Sequence, residues 1–195
     1  MRLFVALDID DAIRERIVRF VEGVQPFAPD ARWVKPESMH VTLKFIGEQA
    51  DSGLESIKRA LGQVSAATIK VDFRGHGFFP TPKSARVFWV GMDAGPELEA
   101  LAVSVDQNLS LVGVPKEDRS FSPHLTLARS AGGSGSPRRN TRDRPNRIFQ
   151  ILQNRLATLP VPEFGTMTSR EFFLYQSQLS PKGSKYTKLA RFKLT

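Results

Sequence analysis

Apolar residues in this chain recur at two spacings, and the spacing marks the elements. Arg2 to Ile9 is a short apolar run that reads as a first strand. Ile13, Ile17, Phe20, Val21 and Val24 then recur at helical spacing, with Asp10 or Asp11 placed to cap the helix and Pro26 to end it. The turn Lys35-Pro36-Glu37-Ser38 leads into Met39-His40-Val41-Thr42-Leu43-Lys44-Phe45-Ile46-Gly47, a β-branched and aromatic run that stops at glycine. Residues two apart on a strand share a face, so His40, Thr42 and Lys44 are expected to point one way and Val41, Leu43 and Phe45 toward a core. Asp51 or Ser52 opens a helix carrying Leu54, Ile57, Leu61 and Val64. Strands follow over Ile69 to Phe73 and Ala85 to Met92, joined by a turn and extended link from Gly75 to Pro82. A helix from about Glu97 to Leu111 buries Leu98, Leu101, Val105 and Leu109, and a strand through His124 comes next. A short helix from about Arg147 to Leu156 precedes closing strands over Glu171 to Gln176 and Lys188 to Leu194.

Adjacent strands are too many, and helices too few, for a doubly wound parallel sheet. The pattern predicts an α+β protein with mostly antiparallel sheets. One segment recurs. Ser122-Pro123-His124-Leu125-Thr126-Leu127-Ala128-Arg129 repeats the alternation around His40, with His124 and Thr126 on one face and Leu125 and Leu127 on the other. The chain has three histidines, and two of them sit in His-x-Thr-Leu contexts nearly half its length apart. We read these as two half-sites facing each other across a cleft, in two lobes related by a pseudo-two-fold axis.

Composition narrows the chemistry. At 195 residues the chain can bury one substantial core, or two lobes sharing one. It has no cysteine, which excludes disulfides and thiolate catalysis and suits a reducing cytoplasm. No stretch approaches the ~18–20 apolar residues that span a membrane. The N-terminal run meets Asp8, Asp10 and Asp11 without a small-residue cleavage site, so it reads as a strand and not a signal peptide. The formal charge of +8 favours a polyanionic partner, chiefly nucleic acid.

Two opposed histidines can bind a metal, serve a nucleophile, or act as a general acid–base couple. A metal would want a third or fourth ligand; no H-E-x-x-H spacing is present, and His76 lies between two glycines without a threonine partner. A serine nucleophile would want a G-x-S-x-G elbow, which the chain lacks. The acid–base couple fits best. Imidazole titrates near pH ~6.5, so one ring can take a proton while the other gives one. The threonine hydroxyls and a nearby arginine could hold the oxygens of a phosphate between them, with attack and departure in line.

These segments resemble those of the two-histidine (2H) phosphoesterases, and within them the RNA 2′,3′-cyclic phosphodiesterases, also called 2′-5′ RNA ligases. The resemblance covers nearly the whole chain. It includes Arg2-Leu3-Phe4-Val5-Ala6-Leu7, Arg32-Trp33-Val34, Phe78-Phe79-Pro80, both histidine motifs, Leu179-Ser180-Pro181-Lys182-Gly183, and Tyr186 to Phe192. It implies one bilobal domain over residues 1–195 with the active-site cleft between its lobes. It also implies opening of a terminal 2′,3′-cyclic phosphate on RNA to a 2′-phosphate. By position, His40 is implied as the proton donor to the leaving 3′-oxygen and His124 as the base that activates water. Thr42, Thr126 and Arg129 are implied as phosphate contacts. No metal or other cofactor is implied. A 5′-hydroxyl in place of water would form a 2′-5′ linkage without ATP, for which the chain has no P-loop. The expected protein is a cytoplasmic monomer with RNA as partner and no membrane. Two alternatives stand beside this one: a 2H relative acting on another cyclic or 2′-5′-linked nucleotide, and an RNA-binding module without turnover.

The chain departs from the family pattern at residues 130–147. There a Gly/Ser tract runs into Arg138, Arg139, Arg142, Arg144 and Arg147, expected as a flexible loop able to clamp an RNA backbone. Trp33, Phe45 and Phe121 are candidates for base stacking, with core packing favoured for each. Lys44 shares the parity of His40 but is expected beyond the site, in solvent.

Overall fold

The computed structural model describes residues 1–130, 146–180 and 183–195. Among them the chain runs β1 (Arg2–Leu7), α1 (Asp11–Val24), β2 (Arg32–Trp33), β3 (Val41–Glu48), α2 (Leu54–Gly62), β4 (Ile69–Phe79) and β5 (Val87–Asp93). It continues through α3 (Gly95–Ser110), β6 (Leu125–Arg129), α4 (Gln150–Leu156), β7 (Glu163–Ser169), β8 (Glu171–Ser180) and β9 (Gly183–Lys193). The strands form two antiparallel sheets, four-stranded in the order β3-β1-β8-β9 and five-stranded in the order β2-β6-β5-β4-β7. Each sheet carries one histidine-motif strand: β3 at the edge of the first, and β6 in the second, beside the two-residue β2. The bilobal α+β expectation holds.

Each sheet packs a pair of helices. α1 lies on β7 and against α4, while α3 lies on β3 and beside α2. The helices cross between lobes, since α1 leaves a strand of the first sheet yet covers the second, and α3 does the reverse. One continuous apolar core therefore spans both lobes, from Leu3, Val5 and Leu7 through Ile13 and Ile17 to Phe88, Val90, Leu125 and Leu127. The helical stripes read from spacing are the buried ones: Ile13, Ile17, Val21 and Val24 in α1, and Leu98, Leu101, Val105 and Leu109 in α3. Asp10 occupies the N-cap of α1, although its side chain makes no capping bond. No helix among the described residues is long and apolar enough to cross a membrane.

Three local expectations need correction. First, β4 does not stop at Phe73 but continues through Gly75 to Phe79, pairing His76 to Phe79 with β5 after a break in register. Gly75, with φ of 71°, takes that break at a left-handed backbone position open to glycine. Second, Glu163–Ser169 is a strand that its polar, threonine-rich sequence concealed, with only Phe164, Met167 and Ser169 buried. Third, the closing strands reach Ser180 and begin again at Gly183, so the tract expected as their connection is mostly strand. The arginine-rich loop expected over 130–147 falls on residues 131–145, outside the described residues.

A fourth correction bears on the site. Opposite β1, Ala6 pairs with Thr42 but Val5 pairs with Lys44, and Phe4 pairs with Phe45. Leu43 is thus an extra residue, and the alternation of β3 slips by one after it. Lys44 turns inward and is 6% exposed, while Phe45 turns outward and is 52% exposed, the reverse of the period-two reading. Lys44 Nζ donates to Asp106 Oδ1 on α3 and to Pro115 O at 2.7 Å. Asp106 Oδ1 also accepts from the Glu117 amide at 3.1 Å. This buried cation ties the first motif strand to the segment that leads into the second.

Candidate active site

His40 and His124 each stand one residue before their strand and are held the same way. His40 Nδ1 lies 2.7 Å from Ser38 O, and His124 Nδ1 lies 2.8 Å from Ser122 O. A carbonyl oxygen only accepts, so in both rings Nδ1 carries the proton and Nε2 is the nitrogen left for chemistry. The tether is the residue two before each histidine, a serine both times. It acts through backbone, so its residue type carries no signal, and the sequence reading missed it.

Aromatic rings fix each imidazole. His40 packs on Phe4 at 4.8 Å between centroids, and Tyr186 meets it edge-on at 5.2 Å. Phe4 is stacked on Tyr175 at 5.1 Å. His124 meets Phe79 edge-on at 5.0 Å, and Phe79 is stacked on Trp89 at the same spacing. Each histidine therefore has a stacked aromatic pair from its own sheet beside it. Gly77 allows the second pair, because a Cβ there would collide with the Trp89 indole. Alternation foretold none of these partners: in β1 Phe4 and Ala6 are as apolar as the core face, and in β4 Phe79 lies beyond the register break at Gly75.

The strand registers match as well. In β6, Trp89 of β5 pairs with Thr126, Phe88 with Ala128 and Val87 with Arg129, so Leu127 is the extra residue. Leu43 and Leu127 hold equivalent places in the two motifs. The slip puts His124, Thr126 and Arg129 on one face of β6, as it puts His40, Thr42 and Phe45 on one face of the first motif. The half-sites are alike up to the threonine and differ where one carries Phe45 and the other Arg129. Of the other aromatic candidates, Trp33 is half-buried with Nε1 donating to Ala28 O, and Phe121 packs on the core.

The two half-sites act on each other's charge. Burial pushes the His40 imidazole down to about 4; the Ser38 carbonyl opposes this, and the positive fields of Arg129 and His124 add to it. Burial also lowers His124, with Arg129 again contributing and the Ser122 carbonyl opposing. Arg129, half-buried, is depressed by desolvation and by Arg32 and Arg2, and favoured by Tyr186. Arg2 and Tyr186 belong to the first sheet, so the Arg129 guanidinium reaches between the lobes. Behind His40, Lys188 and Arg14, at 2.6 and 3.2 Å, hold Asp8 below the usual carboxylate range despite its burial. Both imidazoles are thus neutral near pH 7 in a basic surround, poised to take a proton when an anion enters. No cluster of three or more His, Cys, Asp or Glu side chains is placed to hold a metal among the described residues.

Two sheets, two identically tethered histidines and their threonines define a two-histidine phosphoesterase. The family model described as LigT-like phosphoesterase matches residues 7–89. The RNA 2′,3′-cyclic phosphodiesterase of Archaeoglobus fulgidus is 36% identical over 192 residues, 98% of this chain and 99% of that protein. The Thermus thermophilus protein of the same name is 32% identical, covering 100% of this chain and 90% of its own. A crystal structure of E. coli LigT complexed with 3′-AMP matches with a TM-score of 0.77 at 26% identity, covering 100% of this chain and 98% of that one. The chain belongs to the LigT-like phosphoesterase family.

Proposed function

We infer that this protein is an RNA 2′,3′-cyclic phosphodiesterase, a hydrolase that opens a terminal 2′,3′-cyclic phosphate to a 2′-phosphate. The observation that carries the reading is the matched pair of Nδ1–H···O=C tethers, which leave one Nε2 from each lobe for a group held between the sheets. Thr42, Thr126 and Arg129 bind the phosphate oxygens. His124 Nε2 takes a proton from water as the water oxygen attacks phosphorus. The bond from phosphorus to O3′ breaks on the opposite side, and His40 Nε2–H protonates O3′ as it leaves. His40 takes its proton from solvent as the substrate binds, because the substrate's negative charge favours imidazolium in a site that is otherwise basic. Phe45, exposed on the same face two rungs of the sheet from Thr42, takes the face of a nucleobase.

The same geometry accepts a second nucleophile in the same direction. When a 5′-hydroxyl replaces water, a 2′-5′ linkage forms from the cyclic phosphate without ATP. Both histidines come from one chain, so a monomer suffices, and the cysteine-free sequence suits the cytoplasm. The test is product analysis on an oligoribonucleotide ending in a 2′,3′-cyclic phosphate, incubated in EDTA. The expected product carries a 2′-phosphate. A 3′-phosphate would reverse the assignment of leaving oxygen, and activity that needs an added divalent ion would replace the acid–base couple with a metal.

A further inference from the structure

One charged residue on the site face has no part in the reaction just described. β1 alternates, with Leu3, Val5 and Leu7 in the core and Arg2, Phe4 and Ala6 on the face toward the site. Across the first sheet this makes rows. Ala6 pairs with Thr42 and Phe173, Phe4 with Phe45 and Tyr175, and Arg2 with Glu48 and Ser177. Ser177 pairs in turn with Tyr186, whose ring touches His40. Arg2 therefore stands in the row of Tyr186 and one row beyond Phe4, the other ring on His40, about 7 Å further along β1.

We propose that Arg2 binds the phosphodiester on the 5′ side of the terminal nucleotide, so that the site is built for an RNA end of at least two nucleotides and not for a cyclic mononucleotide. The proposal rests on the cyclic phosphodiesterase reading above. At the 3′ end of an RNA every other phosphate lies on the 5′ side, so the nearest one is that of the terminal nucleotide's own 5′ linkage. Among the described residues no carboxylate lies within ion-pair distance of Arg2 or of Arg129. Glu48, the cross-strand neighbour of Arg2, reaches the amino terminus instead, at 3.7 Å. Arg32 stands directly opposite Arg129 in the β2–β6 register, which places a second guanidinium beside it. The fields of Arg2 and Arg32 both act on Arg129, so cations from strands of both sheets act on the same guanidinium. Planar guanidinium groups from two sides suit a phosphate oxygen pair and follow the backbone without reading a base.

The experiment compares three substrates: a nucleoside 2′,3′-cyclic phosphate, a dinucleotide ending in a 2′,3′-cyclic phosphate, and the same dinucleotide with a neutral methylphosphonate as its internal linkage. Arg2→Gln should lower kcat/KM on the natural dinucleotide by about tenfold, the scale of one charged hydrogen bond. On the other two substrates it should change by less than about twofold, and Arg2→Lys should restore part of the loss. The unmodified protein should itself lose about tenfold on the methylphosphonate. An equal loss on the mononucleotide would place Arg2 at the reacting phosphate or in the fold, and no loss on the natural dinucleotide would remove it from binding; either overturns the proposal. Failure of the unmodified protein to open any of the three would instead refute the cyclic phosphodiesterase reading.

Discussion

Binding of an anion between the histidines should draw a proton into the protein. Without ligand His40 sits at about 4, so near pH 6.5 the ring is almost wholly neutral. A single negative charge about 4 Å from an imidazole, at an effective dielectric near 20, is worth about 4 kcal/mol. That corresponds to about three pKa units, enough to lift the ring to about 7. At pH 6.5 the pair should then take up roughly 0.8 proton per protein, and more for a divalent anion. Sulfate is the suitable probe because it does not itself titrate in this range. Calorimetric titration at pH 6.5 in buffers of different ionisation enthalpy measures the uptake directly. The protons belong to the coupled pair, so the control is His40→Asn combined with His124→Asn, which should abolish the uptake. The rate profiles follow the same sign: the bell in kcat, reporting the complex, should sit at higher pH than the bell in kcat/KM, reporting the free protein. Zero uptake with measurable sulfate binding would refute the idea that the substrate supplies the charge that makes His40 an acid.

The remaining predictions are independent of that titration. His40→Ala and His124→Ala should each lower kcat by about 10²–10⁴. The double variant should be far less than additively worse, because the pair acts as a unit; near-normal turnover in either single variant would end the two-histidine mechanism. The folded pKa of His40 lies below its unfolded value, so the stability due to its neutral ring is fully present above about pH 6.5. It should drain away as pH falls toward 4, by up to about 3 kcal/mol, less where water still reaches the ring. Melting temperatures of the unmodified protein and His40→Asn should therefore converge as the medium is acidified. Lys44→Met should destabilise the fold by about 3 kcal/mol by leaving the Asp106 carboxylate and Pro115 carbonyl without their donor. Lys44→Met with Asp106→Leu should recover part of that loss in denaturant titration. Replacing Arg138, Arg139, Arg142 and Arg144 by Ser should raise KM for oligonucleotides and flatten their salt dependence. Turnover of a cyclic mononucleotide should change by less than about threefold, and equal effects on both substrates would place the loop within the active site.

The linear pattern determined more of the site than of its surroundings. Two His-x-Thr-Leu segments carry their chemistry in residue type and spacing, which survive any folding detail, and each histidine stands one residue before the strand that its alternation marks. The helical stripes were legible because burial of one face imposes a 3.6-residue period on composition. What the tertiary structure alone decided follows from strand pairing. The extra residues Leu43 and Leu127 are defined by the register of β1 and β5, not by anything in their own segments. A one-residue slip reverses every side chain after it, so Lys44 went inside, Phe45 came out, and Arg129 joined the face of His124. β7 was invisible because an edge strand paired only with β4 needs few apolar residues of its own. The low proton affinity of His40, and the action of Arg2 on Arg129, depend on two sheets closing over the same space. Desolvation and charge proximity are properties of that enclosed volume, and residues far apart in the chain share it only once both sheets have formed.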